Sequence, residues 1–367
     1  MRSASRARGI WRLPVWAIAL SGLGTLAAAS AAAGAEPHYH LIKSVLLGGA
    51  SGWDYITLDP ETRRLFITRG THVMVVNAGS GRLVGDIGGM KGIHGVAFAH
   101  GRGYITDGGS DSVVVFDRRT LKKLRNIAVG RGPDGIFYDP FSDRIFAIEG
   151  RGEDVTAIDA RTGKVAGMLP LGGRPEAGAA DGHGMAFINI VDQSEVVAFN
   201  SKTLTIVRRW SLAPCMNPSG MAIDAAHERI FSGCRNGVMA VSDTRAGKVI
   251  ATVPIGQGVD SNRFDPAKGL AFSSNGVSGT LTVVREIDPD SYQVLENVPT
   301  ARSARTMELD PATHRVYLVA AELKFPAGPP QQPAARPPQS PAGPPLGRRF
   351  VRPSVVPGTF RLLILAP

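Results

Sequence analysis

The chain has 367 residues, two cysteines and a formal net charge of +10. Four of the positive charges (Arg2, Arg6, Arg8, Arg12) fall in the first twelve residues, and four more (Arg336, Arg348, Arg349, Arg352) in a Pro-rich stretch without acids. Removing those eight leaves about +2, which excludes a phosphate-binding surface covering the body and leaves room only for a local basic groove.

In chain order, the basic start is followed by an apolar, Ala-rich run from Leu13 to Ala35 that closes on Ala33-Gly34-Ala35. This order predicts a secretory signal over 1–35, cut before Glu36, with an uncleaved membrane anchor as the alternative. No later segment is apolar enough to cross a bilayer, so the expected location is periplasmic or secreted, without a transmembrane segment once the signal is removed. "LIKSVLLG" (41–48) aligns without gaps to "VIATVPIG" (249–256) and reads as a strand.

A repeat follows. Phe66, Tyr104, Phe146, Phe187, Phe231, Phe272 and Tyr317 recur at intervals of 38, 42, 41, 44, 41 and 45 residues. Asp59, Asp139, Asp224, Asp265 and Asp310 each precede their aromatic by seven residues, and Arg64, Arg144, Arg229 and Arg315 follow four of these Asp by five. Such a period marks a propeller or solenoid. Within one unit, "GIFYD" and "RIFAI" flank an Asp-Pro turn and predict a hairpin, "DVTAID" a third strand and "KVAGMLPLG" a fourth. No segment keeps a helical period. The expected fold is all-β: a seven-bladed propeller of four-stranded antiparallel blades, whose last blade is completed by the N-terminal strand. The turn Asp is expected to pair with the Arg across it, and the aromatic to fill the space between blades. From Pro326 the chain is dominated by Pro, Ala, Gly, Gln and Arg and predicts an extended or disordered insertion over 326–354 within blade seven. The domain is therefore read as 36–325 plus 355–367, with "GTFRLLILA" supplying the last blade's third strand.

The unit "DP-x-x-x-R-hydrophobic-aromatic", the turns "DARTGKV" and "DTRAGKV" leading into "VPIG", "GVDSNRFDPAKGLAFSSNG" and the closing "VPGTFRLLILA" resemble the YVTN-repeat β-propellers, the YncE-like family of exported bacterial proteins. The resemblance covers nearly all of 38–367 and implies fold and export; it also implies a DNA-binding property, attached to the family's namesake. Blade two departs from the pattern with its short "AHGRGY" turn, and blade four with "AGAADGHGMAF".

In a propeller the start of each innermost strand faces the central channel. Counting five residues back from each turn position (Ala99 and Asp181 in the irregular blades) selects Asp54, His94, Asp134, Glu176, Ser219, Asp260 and Arg305, one polar residue per blade. Crowded carboxylates repel one another unless a proton or cation relieves them, so a divalent cation such as Ca²⁺ suits this ring, with His94, Asp134 and Glu176 as its expected ligands. The bland alternative is a wet channel mouth that binds nothing in particular. Arg305 could hold an anionic group or pair with Asp54. Cys215 and Cys234 lie at the paired ends of one hairpin and are expected to form a disulfide; two buried thiols are the alternative.

No Gly-x-Ser-x-Gly elbow, phosphate-cradling Lys-Ser/Thr loop or haem-attachment spacing occurs. The expected function is a monomeric, non-catalytic periplasmic module that recognises a ligand or another periplasmic protein at the ring. A metal-dependent hydrolase of the lactonase type is the alternative, and nucleic-acid binding through basic segments, read as an unlikely partnership, is a second.

Overall fold

Asp139 and Arg144 face one another at the end of the first hairpin of blade three, strands Pro133–Asp139 and Arg144–Glu149. The buried Asp139 carboxylate accepts hydrogen bonds from the N–H groups of Phe141 and Ser142, both at 3.1 Å, and from the Ser142 hydroxyl at 2.6 Å. An Asp side chain that mimics a backbone turn in this way explains the recurrent Asp-Pro. Asp59, Asp224, Asp265 and Asp310 cap their turns likewise. Blade two lacks the Asp and turns instead through His100 and Gly101, both at positive φ, the backbone of a tight two-residue hairpin.

The repeat Arg does not pair across its own turn as the sequence suggested. It reaches into the following blade. Arg144 donates to the carbonyls of Ser201 and Lys202 at 2.8 Å, and Arg229 to that of Pro289 at 2.8 Å; Arg64 reaches that of Arg118 in the same way. A guanidinium fork satisfies several carbonyls at once, so this residue staples neighbouring sheets together.

The computed structural model describes residues 38–325 and 353–367; the expected signal over 1–35 and all but the end of the 326–354 insertion lie outside them. Among the described residues no helix is long and apolar enough to cross a membrane. Seven four-stranded antiparallel sheets form a closed ring. Their innermost strands, Ile56–Asp59, Ile93–Ala99, Pro133–Asp139, Pro175–Ala180, Pro218–Asp224, Val259–Asp265 and Met307–Asp310, contact one another in cyclic order, the last against the first. The seventh sheet is built from both chain ends: His40–Leu46 pairs antiparallel with Arg361–Ala366, from His40 opposite Ala366 to Leu46 opposite Arg361. Leu323–Lys324 pairs with Ser354–Val355 and brackets the segment between them.

The core is divided among the seven blade junctions. Each apolar cluster joins two consecutive sheets, and the cluster holding Trp53, Ile56, Tyr317 and Leu362 joins the seventh to the first. All seven repeat aromatics are buried in these layers, each contributing about 2–3 kcal/mol of apolar burial. Cys215 and Cys234 are bridged, with their Cα atoms 5.6 Å apart and a separation of 19 positions in sequence. Closing a loop of that length limits the unfolded chain, so replacing both cysteines with Ser should cost about 3 kcal/mol, read as a lower denaturant midpoint at unchanged slope; an unchanged midpoint would show that the bridge adds nothing.

Candidate functional site

In blades two to six the innermost strand carries a β-bulge near its start, at Ile93/Val96, Pro133/Ile136, Pro175/Gly178, Pro218/Met221 and Val259/Ser261. A bulge re-aims side chains, and the ring residues sit within these irregular stretches. The glycine after two of them has a packing reason: a Cβ on Gly135 would lie 2.8 Å from the Glu176 carbonyl, and one on Gly220 2.7 Å from the Asn262 nitrogen. Neighbouring innermost strands approach too closely there for any larger residue.

The structure brings the sequence-selected ring together. Asp54, His94, Asp134, Glu176, Asp260 and Arg305 line one cavity of about 1500 Å³. Ser219 is buried beside it and donates to Asp260 at 2.9 Å. His94 Nδ1 lies 2.6 Å from Asp54 and 3.6 Å from Asp134. Arg305 donates to Asp260 at 2.7 Å and to the Trp53 carbonyl at 2.9 Å, stands 3.6 Å from Asp54, and packs over the Trp53 ring. The expected Asp54–Arg305 pairing is therefore one arm of a larger bridge.

Desolvation dominates the charge states. Burial, then the Asp54 charge, pushes Asp134 up to about 6; burial, then Asp134 and Asp260, pushes Glu176 up to about 7, with Arg235 opposing. Burial alone would lower the His94 imidazole, but its bond to Asp54 and the charges of Asp134, Asp54 and Glu176 raise it above its ordinary value. Asp54, His94 and Asp134 have donor atoms mutually within 4.8 Å and could hold a divalent cation. Glu176, expected as a ligand in place of Asp54, lies outside this group and faces Arg235 at 3.8 Å. No nucleophilic hydroxyl or thiol is hydrogen-bonded to His94 among the described residues; the Ser219 hydroxyl is held by Asp260.

Sequence counting missed Tyr55, Arg235 and the Arg263–Glu308 pair. Tyr55 is the neighbour of Asp54, and its hydroxyl is raised well above its ordinary pKa by burial and then by Asp134, Asp54, Glu176 and Asp260. Arg263 grips Glu308 on the adjacent innermost strand at 2.9 and 3.2 Å. Arg235 comes from a loop between second and third strands, which no count from the first turn reaches.

A second feature lies on the outer edges of the sheets. In blades two to five the fourth strands and the turns leading into them expose Lys122, Lys123, Arg125, Arg161, Lys164, Lys202, Arg208, Arg209, Arg245 and Lys248. The fourth strands themselves, Lys123–Ala128, Val165–Pro170, Thr205–Ser211 and Lys248–Pro254, contain no acid. Arg125 donates to the Thr162 carbonyl of the next blade, and Arg208 to that of Arg245, so this basic belt is tied across the junctions of blades two and three and of blades four and five. Asp117, Asp159 and Asp243 in the turns spend their carboxylates on local N–H groups. Arg161, Arg209 and Arg245 pair with Asp143, Glu195 and Glu228 at 2.6, 2.6 and 2.8 Å, which leaves the edge with a surplus of cations, among them Lys122, Lys164, Lys202 and Lys248.

No family model matches the chain. A curated relative from Schizosaccharomyces pombe (strain 972 / ATCC 24843), the probable U3 small nucleolar RNA-associated protein 18, is 25% identical over 171 residues, 44% of this chain and 32% of the relative. The match thus spans about a third of that protein's length. Among solved structures, the RRP9 WD40 repeats superpose with a TM-score of 0.72 at 10% identity over 90% of this chain and all of that one. Kuenenia stuttgartiensis hydrazine synthase superposes with a TM-score of 0.65 at 17% identity over 73% of this chain and 92% of that one. At such identities the structures speak for the propeller fold.

These comparisons correct several expectations. The relatives include a protein named for a small nucleolar RNA. They do not bear out a periplasmic or secreted setting with a signal peptide, a ligand-recognising or lactonase-type hydrolytic role at the channel mouth, or a periplasmic protein as partner. Nor does nucleic acid stand as an unlikely partner. The physical reason is the belt: total charge was a poor guide because cations gather on one edge while acids are spent in turns and in the ring.

Proposed function

We propose that this propeller is a nucleic-acid-binding module whose basic belt on blades two to five holds the phosphate backbone of RNA. The observation that carries the reading is the set of exposed cations on the acid-free fourth strands of blades two, four and five and on the turns leading into the fourth strands of blades two to five. Phosphate neutralisation supplies most sequence-independent affinity for nucleic acid. Two further facts support it: the RNA in the curated relative's name, and the repeat's resemblance to YVTN propellers of the YncE-like kind, whose namesake has a DNA-binding property. The chain is on this reading one propeller over 36–325 and 355–367, with an insertion over 326–354 that adds Arg336, Arg348, Arg349 and Arg352 and no acid. The acidic mouth repels phosphate, so the strand runs along the rim. The ring's own role is to hold a divalent cation at Asp54, His94 and Asp134.

Lys122, Lys164, Lys202 and Lys248 form no ion pair among the described residues, so replacing all four with Gln leaves the sheets intact. Affinity for a short single-stranded RNA, followed by fluorescence anisotropy from about 50 to 200 mM salt, should fall steeply for the unmodified chain, and the slope should drop by about 3 in the quadruple variant. No binding at low salt, or an unchanged slope, would refute the belt as the contact surface.

A further inference from the structure

At three of the blade junctions a buried turn Asp meets a cation brought by the next sheet: Arg118 reaches Asp59 at 3.3 Å, His314 reaches Asp265 at 2.7 Å, and Arg63 reaches Asp310. The junction of blades five and six breaks this pattern. There Asp224 meets Glu286, which stands one residue beyond the partner of Leu270 on the third strand, the place Arg118 holds in blade two. The side chains of Asp224 and Glu286 are 3% and 5% exposed, so two carboxylates share a largely dry interface. Removing one charge from such a pair needs a proton or a cation.

His227 supplies a third donor. In blades one, three and seven the position three beyond the turn Asp is Thr62, Ser142 or Thr313, whose hydroxyl the Asp holds. In blade five it is His227, whose Nδ1 lies 2.6 Å from Asp224 and 3.1 Å from Glu286, while half of its side chain faces solvent. The three donor atoms lie within 4.8 Å of one another. A tetrahedral ion with bonds of about 2.0–2.1 Å separates its ligands by roughly 3.3 Å, so small side-chain movements convert this group into a coordination set.

We propose that Asp224, His227 and Glu286 bind a zinc-type divalent ion at the junction of blades five and six. One imidazole nitrogen with two carboxylates favours a first-row transition metal over Ca²⁺ or Mg²⁺, which take all-oxygen sets. The open side at His227 leaves the fourth position to water. The ion would take the place that Arg118 and His314 fill at other junctions and tie the two sheets together. This inference is independent of nucleic-acid binding.

The test uses the full chain, stripped with chelator, with Asp54→Asn disabling the mouth cluster, and Zn²⁺ alone as the titrant in calorimetry. One equivalent should bind and raise the melting temperature. Adding Glu286→Gln, which removes charge repulsion and so keeps the sheet folded, should weaken that binding at least 100-fold and abolish the thermal shift. Absence of binding in the Asp54→Asn chain, or unchanged binding after Glu286→Gln, overturns the assignment.

Discussion

A chain that starts at Gly48 should melt at least about 8 °C below one that starts at Glu36, and should associate at high concentration. The strand His40–Leu46 is the outer strand of the seventh sheet, and without it Arg361–Ala366 becomes an exposed edge. Unpaired edges template the pairing of other chains. Tyr39 anchors the closure: it is buried, its ring meets Phe272 edge-on at 5.1 Å, and its hydroxyl donates to the His314 carbonyl at 2.9 Å. Losing that side chain alone costs about 3 kcal/mol. Lost strand pairing and the opened cluster beneath it bring the total to at least about 5 kcal/mol, which for a domain of this size corresponds to the shift given. Light scattering during thermal melts reads both effects. A truncated chain with an unchanged melting point would mean that the ring closes without this strand.

Glu149→Gln should stabilise the protein above neutral pH and flatten its loss of stability with alkali. Glu149 ends the second strand of blade three opposite Asp154, is fully buried, and neither carboxylate oxygen finds a hydrogen-bond donor of good geometry. Burial first, with Asp154 adding and Thr156 opposing, pushes its carboxyl up to about 9. Arg131 acts on the neighbouring Asp154. The folded state therefore holds a proton that the unfolded chain releases near its ordinary value. The stability this proton brings is complete below the unfolded pKa and is lost as pH rises through the interval up to about 9. The linkage is on the order of 6 kcal/mol across that interval. Gln keeps the shape and cannot ionise. Denaturant midpoints measured at pH 5, 7 and 9 should fall for the unmodified chain and stay nearly level for the variant; parallel curves would show that Glu149 does not carry the linkage.

The repeat was legible because every blade junction makes the same demand. An aromatic must fill each layer, and in five blades an Asp satisfies the first turn, so Phe66, Phe146, Phe231 and their counterparts return at nearly constant spacing. The ring was legible for the same reason: residues at one offset of a closed repeat converge on the axis, and six of the seven line the cavity. Legibility stopped where a contact joins non-equivalent positions. Arg144 was read against Asp139 in its own turn, yet it spans to Ser201 and Lys202 one blade on. Glu176 was read as a ligand because it shares the ring offset, yet Asp54 takes that place beside His94.

By itself the sequence determined the number of sheets, their strand order and the use of the amino-terminal strand as a clasp, because these follow from local alternation and the period of packing. It also marked the cysteine pair, whose spacing fits one hairpin. Only the tertiary structure decided which charges meet. Curling the sheets into a ring sets Glu286 against Asp224, lines up Lys122, Lys164, Lys202 and Lys248 along one rim, and closes Tyr55 among four carboxylates. Charge acts through distance and burial, and neither exists until the last sheet has met the first.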